Sequence, residues 1–270
     1  MIDEPQAAVD HSGSEPQSPI FILGGFIAPA EQWARFSAEW QAALDEPPGV
    51  AYFKLTEAMS LTSKGEFSRK KGWTEQKRDN RLIELGKIIR KYVAVRIHAS
   101  VNNENFVKYV RAIAVPQCRP GPDHPYLLLT CQLLIAVGVL GDRLGFTGPC
   151  KYFFDERAGF YDDLSAWWPS FKASLAQSRR PDLKRFVGSA ALVHKDERRF
   201  LPLQAADFYS GYLRRYAIRS RRSTVPPPIA LQQLEDIPVV GYSAGPHLAE
   251  GIRAALISSV EKTVAAKLGS

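Results

Sequence analysis

At 270 residues and 30.1 kDa, with 45% hydrophobic residues and a mean hydropathy of −0.19, the chain is long enough to bury a substantial core in one large domain or two small ones. Lys and Arg outnumber Asp and Glu by 35 to 28, a formal charge of +7 that excludes an acidic disordered tail protein and permits, without requiring, a polyanionic partner. Three cysteines, Cys118, Cys131 and Cys150, with no C-x-x-C pair, argue against a disulfide framework or a Cys-rich zinc site and predict a reducing, cytoplasmic setting.

The first residues, MIDEPQAAVDHSGSEPQSP, have no cationic start ahead of an apolar run, so no signal peptide is expected. Gln6 to Asp10 reads as a short strand and Ile20 to Ala28 as an apolar one, with Ser12, Gly13 and Ser14 as turn material, which together predict a hairpin. Pro29 opens an amphipathic helix in which Trp33, Phe36, Trp40 and Leu44 recur at three- and four-residue spacing. After Pro47 and Pro48, VAYFKL reads as a strand that runs into Thr56, Glu57 and a polar, basic loop. Thr74 caps a helix to about Lys91, and VAVRIHASV is the next strand. Asn102 or Asn103 starts a helix to about Ala112. A Pro/Gly-rich loop then leads into an uncharged stretch, Tyr126 to Gly141, too short to span a membrane and read as a helix to about Leu144 buried on every side.

CKYFFDE, Cys150 to Glu156, is a short apolar strand ending in two carboxylates. A helix with Leu164, Trp167, Trp168 and Phe171 follows, then a basic linker and a last strand in RFVGSAALVHK. From Pro202 an amphipathic helix carries Leu203, Ala206, Phe208, Tyr212 and Leu213, and Pro226 to Pro228 stops it. One more helix is expected from about Pro246 to Leu268. Strands alternating with helices after a hairpin predict an α/β fold, a mixed sheet with flanking helices. The main domain is placed at 1–225, with a helical insert around 58–145 and a C-terminal helical extension at 226–270.

The modest overall charge hides two basic segments, net +7 from Lys64 to Arg96 and net +8 from Ala176 to Arg222. Such runs are usually solvated helix faces, but two of them flanking a set of carboxylates make a case for phosphate binding. Asp10 ends the first strand, Asp155 ends the FF-flanked strand, and Asp207 lies one turn into the last amphipathic helix among apolar neighbours, where burial is costly unless the acid is paired or bound to a cation. If the two strands are neighbours and that helix packs across their ends, the three acids meet, and three carboxylates with waters and a substrate phosphate suit Mg²⁺ or Mn²⁺. The competing reading is that each Asp caps a turn or pairs with a nearby Arg. Glu156 and Glu57 are candidate fourth acids. Lys54 is placed to meet phosphate or pair with an acid, and Gln204, three positions before Asp207, to orient a water or satisfy the backbone.

VDHSGS, then IFILGGFIAPAEQWARFSAEWQAAL, AYFKLTEAMSL, YFFDE and LPLQAADFYSGYLRR, in that order over roughly residues 6 to 222, resemble the domain-of-unknown-function family 3800. The resemblance implies a ribonuclease H-like fold in which Asp10, Asp155 and Asp207 are the metal-site acids and Ser12 and Gly13 shape the turn beside Asp10. The second motif position, often acidic in the family, is His11 here, a candidate phosphate contact or proton carrier. The leading expectation is a metal-dependent nuclease whose backbone contacts come from Arg69, Lys70, Lys71, Arg214, Arg215 and Arg219. The alternative is a catalytically silent nucleic-acid-binding or protein-interaction module on the same fold. No G-x-S-x-G elbow, G-x-G-x-x-G or P-loop motif is present, and the histidines lack zinc-ligand spacing.

Overall fold

The computed structural model describes residues 1–15, 17–62, 64–110, 125–155, 161–176, 181–188, 191–196, 198–221 and 226–244. Its centre is a sheet of six strands in the order β5-β4-β1-β2-β3-β6. β1 (Pro5–Ser12) and β2 (Ile20–Pro29) form the expected antiparallel hairpin, and β3 (Val95–Asn102) adds antiparallel to β2. β4 (Lys151–Asp155) lies parallel to β1 and β5 (Ala191–Lys195) parallel to β4, while β6 (Val239–Ala244) runs parallel to β3. Gly13 turns the hairpin at φ +98, and a Cβ there would meet the Ile20 carbonyl oxygen at 2.2 Å, so both conformation and space require glycine.

Alternating residues of the strands feed two cores. On one face Ala7, Val9, Leu23, Ile97 and Phe154 pack with α5 (Pro125–Leu140) and α6 (Tyr161–Ala176). On the other, Ala8, Phe26 and Ala28 pack with α1 (Ala30–Asp45), α3 (Glu75–Tyr92) and α8 (Leu201–Ser220). The Trp33, Phe36, Trp40 and Leu44 stripe is buried in this second core, so those aromatics are packing residues. Thr74 caps α3 by accepting from the Lys77 N–H. Asn102 likewise caps α4 (Asn103–Tyr109), accepting from Asn105. α5 is buried along most of its length, as its composition predicts, but ends at Leu140. Short pieces complete the chain: α2 (Leu55–Ser60), a 3₁₀ turn Arg69–Lys71, α7 (Pro181–Leu183), a π-helical turn Lys184–Gly188 and α9 (Ile229–Gln232). Among the described residues no helix is long and apolar enough to cross a membrane.

Three expectations change. VAYFKL is not a strand: its backbone runs to α8 instead of to a sheet neighbour, the Phe53 N–H donating to Gln204 Oε1 and the Leu55 N–H to Asp207 Oδ2. The stretch 58–145 is not a separate helical insert, because β3 within it is paired with β2 through the middle of the sheet. Residues 226–244 are likewise no separate extension, since β6 joins the sheet along β3. The helix expected from Pro246 to Leu268 lies outside the described residues.

Candidate functional site

The pairing of β1 with β4 sets Val9 opposite Phe154, and continuing that register by one residue brings Asp10 abreast of Asp155 on adjacent strands about 4.8 Å apart. Both carboxylates point to the α8 side. Asp10 shares its face with Ala8, which packs in the α1/α3/α8 core, and Asp155 shares its face with Phe153, whose ring lies 4.7 Å from Phe200 at the start of α8. α8 lies directly over the strands: a Cβ on Gly24, the residue paired with Asp10, would come within 3.4 Å of Ser210. Asp207, one turn before Ser210, is thereby brought near Asp10, whose charge acts on it. Asp10, Asp155 and Asp207 are 3%, 7% and 6% exposed, so three carboxylates are buried on one side of the sheet.

Their electrostatics follow from that burial. Asp207 is pushed up to about 6 chiefly by loss of solvation. The charge of Asp10 adds to the rise, and Lys54 and the Leu55 N–H oppose it. For Asp10 burial acts upward too, but the hydrogen bond and charge of His11, with the charge of Lys54, outweigh it and hold the carboxyl below its ordinary value. His11 Nδ1 stands 3.3 Å from Asp10 Oδ1. Its ring stacks on Phe21 and meets the edge of Tyr126. Lys54 Nζ is 3.7 Å from Asp207 Oδ1, and the Leu55 N–H donates to Asp207 Oδ2 at 2.6 Å.

A titration follows. Because Asp207 binds its proton more tightly folded than unfolded, its contribution to stability falls as pH rises from about 4 to about 6 and is level above that window. Carboxyl-carbon NMR of the protein without added metal is expected to show Asp207 titrating near pH 6. Asp10→Asn is expected to lower that midpoint, since the Asp10 charge raises it. A midpoint unmoved by Asp10→Asn would mean that the two acids do not sense one another.

The remaining candidates divide. Glu57 is not a fourth site acid: Oε1 accepts from the Tyr52 hydroxyl at 2.7 Å and Oε2 from the Glu66 N–H at 2.8 Å, which commits it to ordering its own loop. Gln204 is fully buried and satisfies the backbone and a ring instead of a water, its Oε1 accepting from both Phe53 N–H and Trp40 Nε1–H at 3.0 Å. Ser12 ends β1 opposite Ile22. Glu156 lies outside the described residues.

Of the basic candidates, Arg214 sits two turns after Asp207 on the same side of α8 and reaches Ser18 and Glu15 at the hairpin end. Arg215 and Arg219 face elsewhere, into a groove shared with Asp79, Tyr212 and Tyr216 between α3 and α8. Arg69 pairs with Glu75 and Lys71 with Glu66, and Lys70 is exposed on the same turn. Helical spacing thus puts Arg215 and Arg219 on a different side of α8 from Arg214.

Two residues were missed in the sequence. Tyr126, the first aromatic of α5, is buried, and its hydroxyl is driven well above 10 by burial and then by the charges of Asp10 and Asp155, which places it beneath both acids. Arg198 lies over the Tyr52 ring at 4.5 Å, beside the segment that carries Lys54. His98, read as a core residue, is one: its Nδ1 is 3.1 Å from the Tyr209 hydroxyl, and burial, then Arg96, lowers it to about 4. Cys131 and Cys150 carry free thiols, both raised by burial.

Hard oxygen donors, shared burial and an acid raised to about 6 by that burial suit the chemistry of a divalent ion. As the side chains stand, no group of three or more His, Cys, Asp or Glu among the described residues is gathered closely enough to hold one. The fold is α/β, a mixed sheet with flanking helices, with acids on the first strand, a later strand and a late helix. No family model and no curated protein matches the chain. Among solved structures it is similar to a crystal structure of Bst-RNase HIII in complex with Mn²⁺, with a TM-score of 0.43 and 13% identity, over 91% of this chain and 64% of that one. The chain thus spans under two thirds of that protein's length.

Proposed function

We propose that this protein is a member of the domain-of-unknown-function family 3800 that hydrolyses phosphodiester bonds in nucleic acid, in the cytoplasm, using Mg²⁺ or Mn²⁺ held by the Asp10, Asp155 and Asp207 cluster. The observation that carries this reading is the β1–β4 register, which sets two strand acids side by side under a helix bearing a third. A bound ion would supply the charge that activates a water and neutralises the leaving oxygen of the phosphodiester. The chain's own groups do the rest. Asp10 and Asp155 would provide oxygen donors from neighbouring strands, and Asp207 would add one from α8. Arg214, on the Asp207 side of α8 and paired with Glu15, is the cation that would meet the phosphate backbone.

The test is incubation of the purified protein with single- and double-stranded DNA and RNA, with Mn²⁺ or Mg²⁺ and with chelator. Product that appears with the ion and disappears with chelator is expected. Product formation indifferent to chelator rejects the reading.

A silent nucleic-acid-binding module on the same fold is the second reading, favoured by the Lys54–Asp207 ion pair and by the absence of a three-residue ligand group among the described residues. It differs in its outcome: affinity that falls steeply with salt, and no product with either ion.

A further inference from the structure

We infer that the groove between α3 and α8 is a binding site for a nucleoside phosphate, whose phosphate is held by Arg215 and Arg219 and whose base lies on the ring of Tyr216. The inference stands apart from the metal reading, since it concerns another side of α8 and needs no ion. Tyr212, Arg215, Tyr216 and Arg219 follow at spacings of three and four residues, which puts them on one side of the helix, while Asp207 and Arg214 lie on another. The groove holds about 260 Å³, slightly below the ordinary range for ligand sites of about 300–1,000 Å³, so it admits a single nucleotide and excludes a duplex.

The charge in the groove is uneven. Asp79, on the α3 side, is neutralised by its neighbour Arg78, whose Nε–H donates to Asp79 Oδ1 at 2.8 Å. Arg215 and Arg219 make no ion pair with any described residue. Both are exposed and one turn apart, so two guanidinium groups repel each other along one side of the helix. An anion between them relieves that repulsion, and guanidinium forks match the geometry of phosphate oxygens. The charged groups act on the same space: burial and then Asp79 push the Tyr212 hydroxyl up to about 12, while Arg78 and Arg215 oppose the rise.

The rest of the lining selects the ligand. The Tyr216 ring is half-buried, and Ile83 of α3 and Ile229 of α9 add apolar wall. Ile229 is 60% exposed although apolar, a surface that a flat ring can cover. Aromatic rings hold nucleobases by stacking. Asp79 Oδ2 accepts no hydrogen bond from a described group and serves as acceptor for a sugar hydroxyl or a base amino group. A nucleoside phosphate combines an anion, a flat ring and donors between them. Inorganic phosphate lacks the ring, and a simple aryl phosphate lacks the donors.

Calorimetry on the full-length protein in excess chelator tests this with AMP, adenosine, inorganic phosphate, phenyl phosphate and a short oligoadenylate. AMP is expected to bind one per chain, at least about tenfold more tightly than adenosine, inorganic phosphate or phenyl phosphate. Arg215→Ala and Arg219→Ala are each expected to weaken AMP binding about tenfold or more, and Tyr216→Leu at least about fivefold, with Tyr216→Phe retaining it. Arg185→Ala, which removes the same charge from a surface arginine paired with Asp142, is expected to leave it unchanged. Circular dichroism confirms that each variant is folded. Oligoadenylate that binds more tightly than AMP and is displaced by it assigns the groove to a nucleic-acid strand, whereas AMP that binds at least as tightly as the oligonucleotide assigns it to the free nucleotide. No AMP binding, equal binding of phenyl phosphate or inorganic phosphate, or losses in Arg215→Ala and Arg219→Ala no larger than in Arg185→Ala overturns the inference and leaves the metal reading in place.

Discussion

Asp207→Ala is expected to lower metal-dependent cleavage of DNA or RNA by at least about 100-fold, the scale on which disturbing even the outer partners of a metal ligand is felt. The expectation comes from what the carboxylate connects. It is the only acid on α8, it is buried against the strands that carry Asp10 and Asp155, and it fixes both the backbone of Leu55 and the ammonium of Lys54. Its loss removes one member of the acid cluster and releases the cation beside it in a single step. The fold is expected to survive. The Leu55 N–H loses its acceptor, at about 1–3 kcal/mol, but a carboxylate that burial disfavours is removed as well. A variant that is folded by circular dichroism and cleaves as fast as the parent would remove Asp207 from the site.

Gln204→Leu carries the largest expected effect on stability. One amide oxygen accepts two buried donors, Trp40 Nε1–H and the Phe53 N–H, and leucine fills nearly the same space while accepting neither. Each orphaned donor costs about 1–3 kcal/mol, so urea unfolding is expected to show a loss of about 2–6 kcal/mol with the slope of the transition unchanged. Because the same amide anchors the segment that presents Lys54, the Asp207 midpoint near pH 6 is expected to move upward as the ammonium loses its fixed place. A loss below about 1 kcal/mol would mean that both donors find other acceptors.

Much of the fold was legible where a single period dominates. The hairpin, the Trp33/Phe36/Trp40/Leu44 helix and the Thr74 and Asn102 caps each depend on local chemistry that the sequence states outright. The three aspartates, all buried in the structure, stood out because an acid in an apolar setting is costly and needs a reason. What was illegible depends on long-range hydrogen bonding. VAYFKL reads like a short apolar strand, yet its donors are taken by Gln204 and Asp207, some 150 positions away. β6 was missed because a six-residue edge strand gains its meaning only from β3, on which it lies. The division within the basic cluster was illegible for a similar reason. Composition counts Arg214, Arg215 and Arg219 alike, whereas the helix leaves Arg214 on the Asp207 side and turns the other two toward α3. Tyr126 gave no local signal at all, since a tyrosine opening an apolar helix looks like core until the strand acids are placed above it.

The central proposal is that Asp10, Asp155 and Asp207 close around one cation-binding point when an ion is present. Anomalous diffraction from crystals grown with Mn²⁺ addresses it directly. The expected result is an anomalous peak within about 2.0–2.6 Å of oxygens from Asp10 and Asp155, on the side facing Asp207. A map at saturating Mn²⁺ with no peak among these three acids would contradict it.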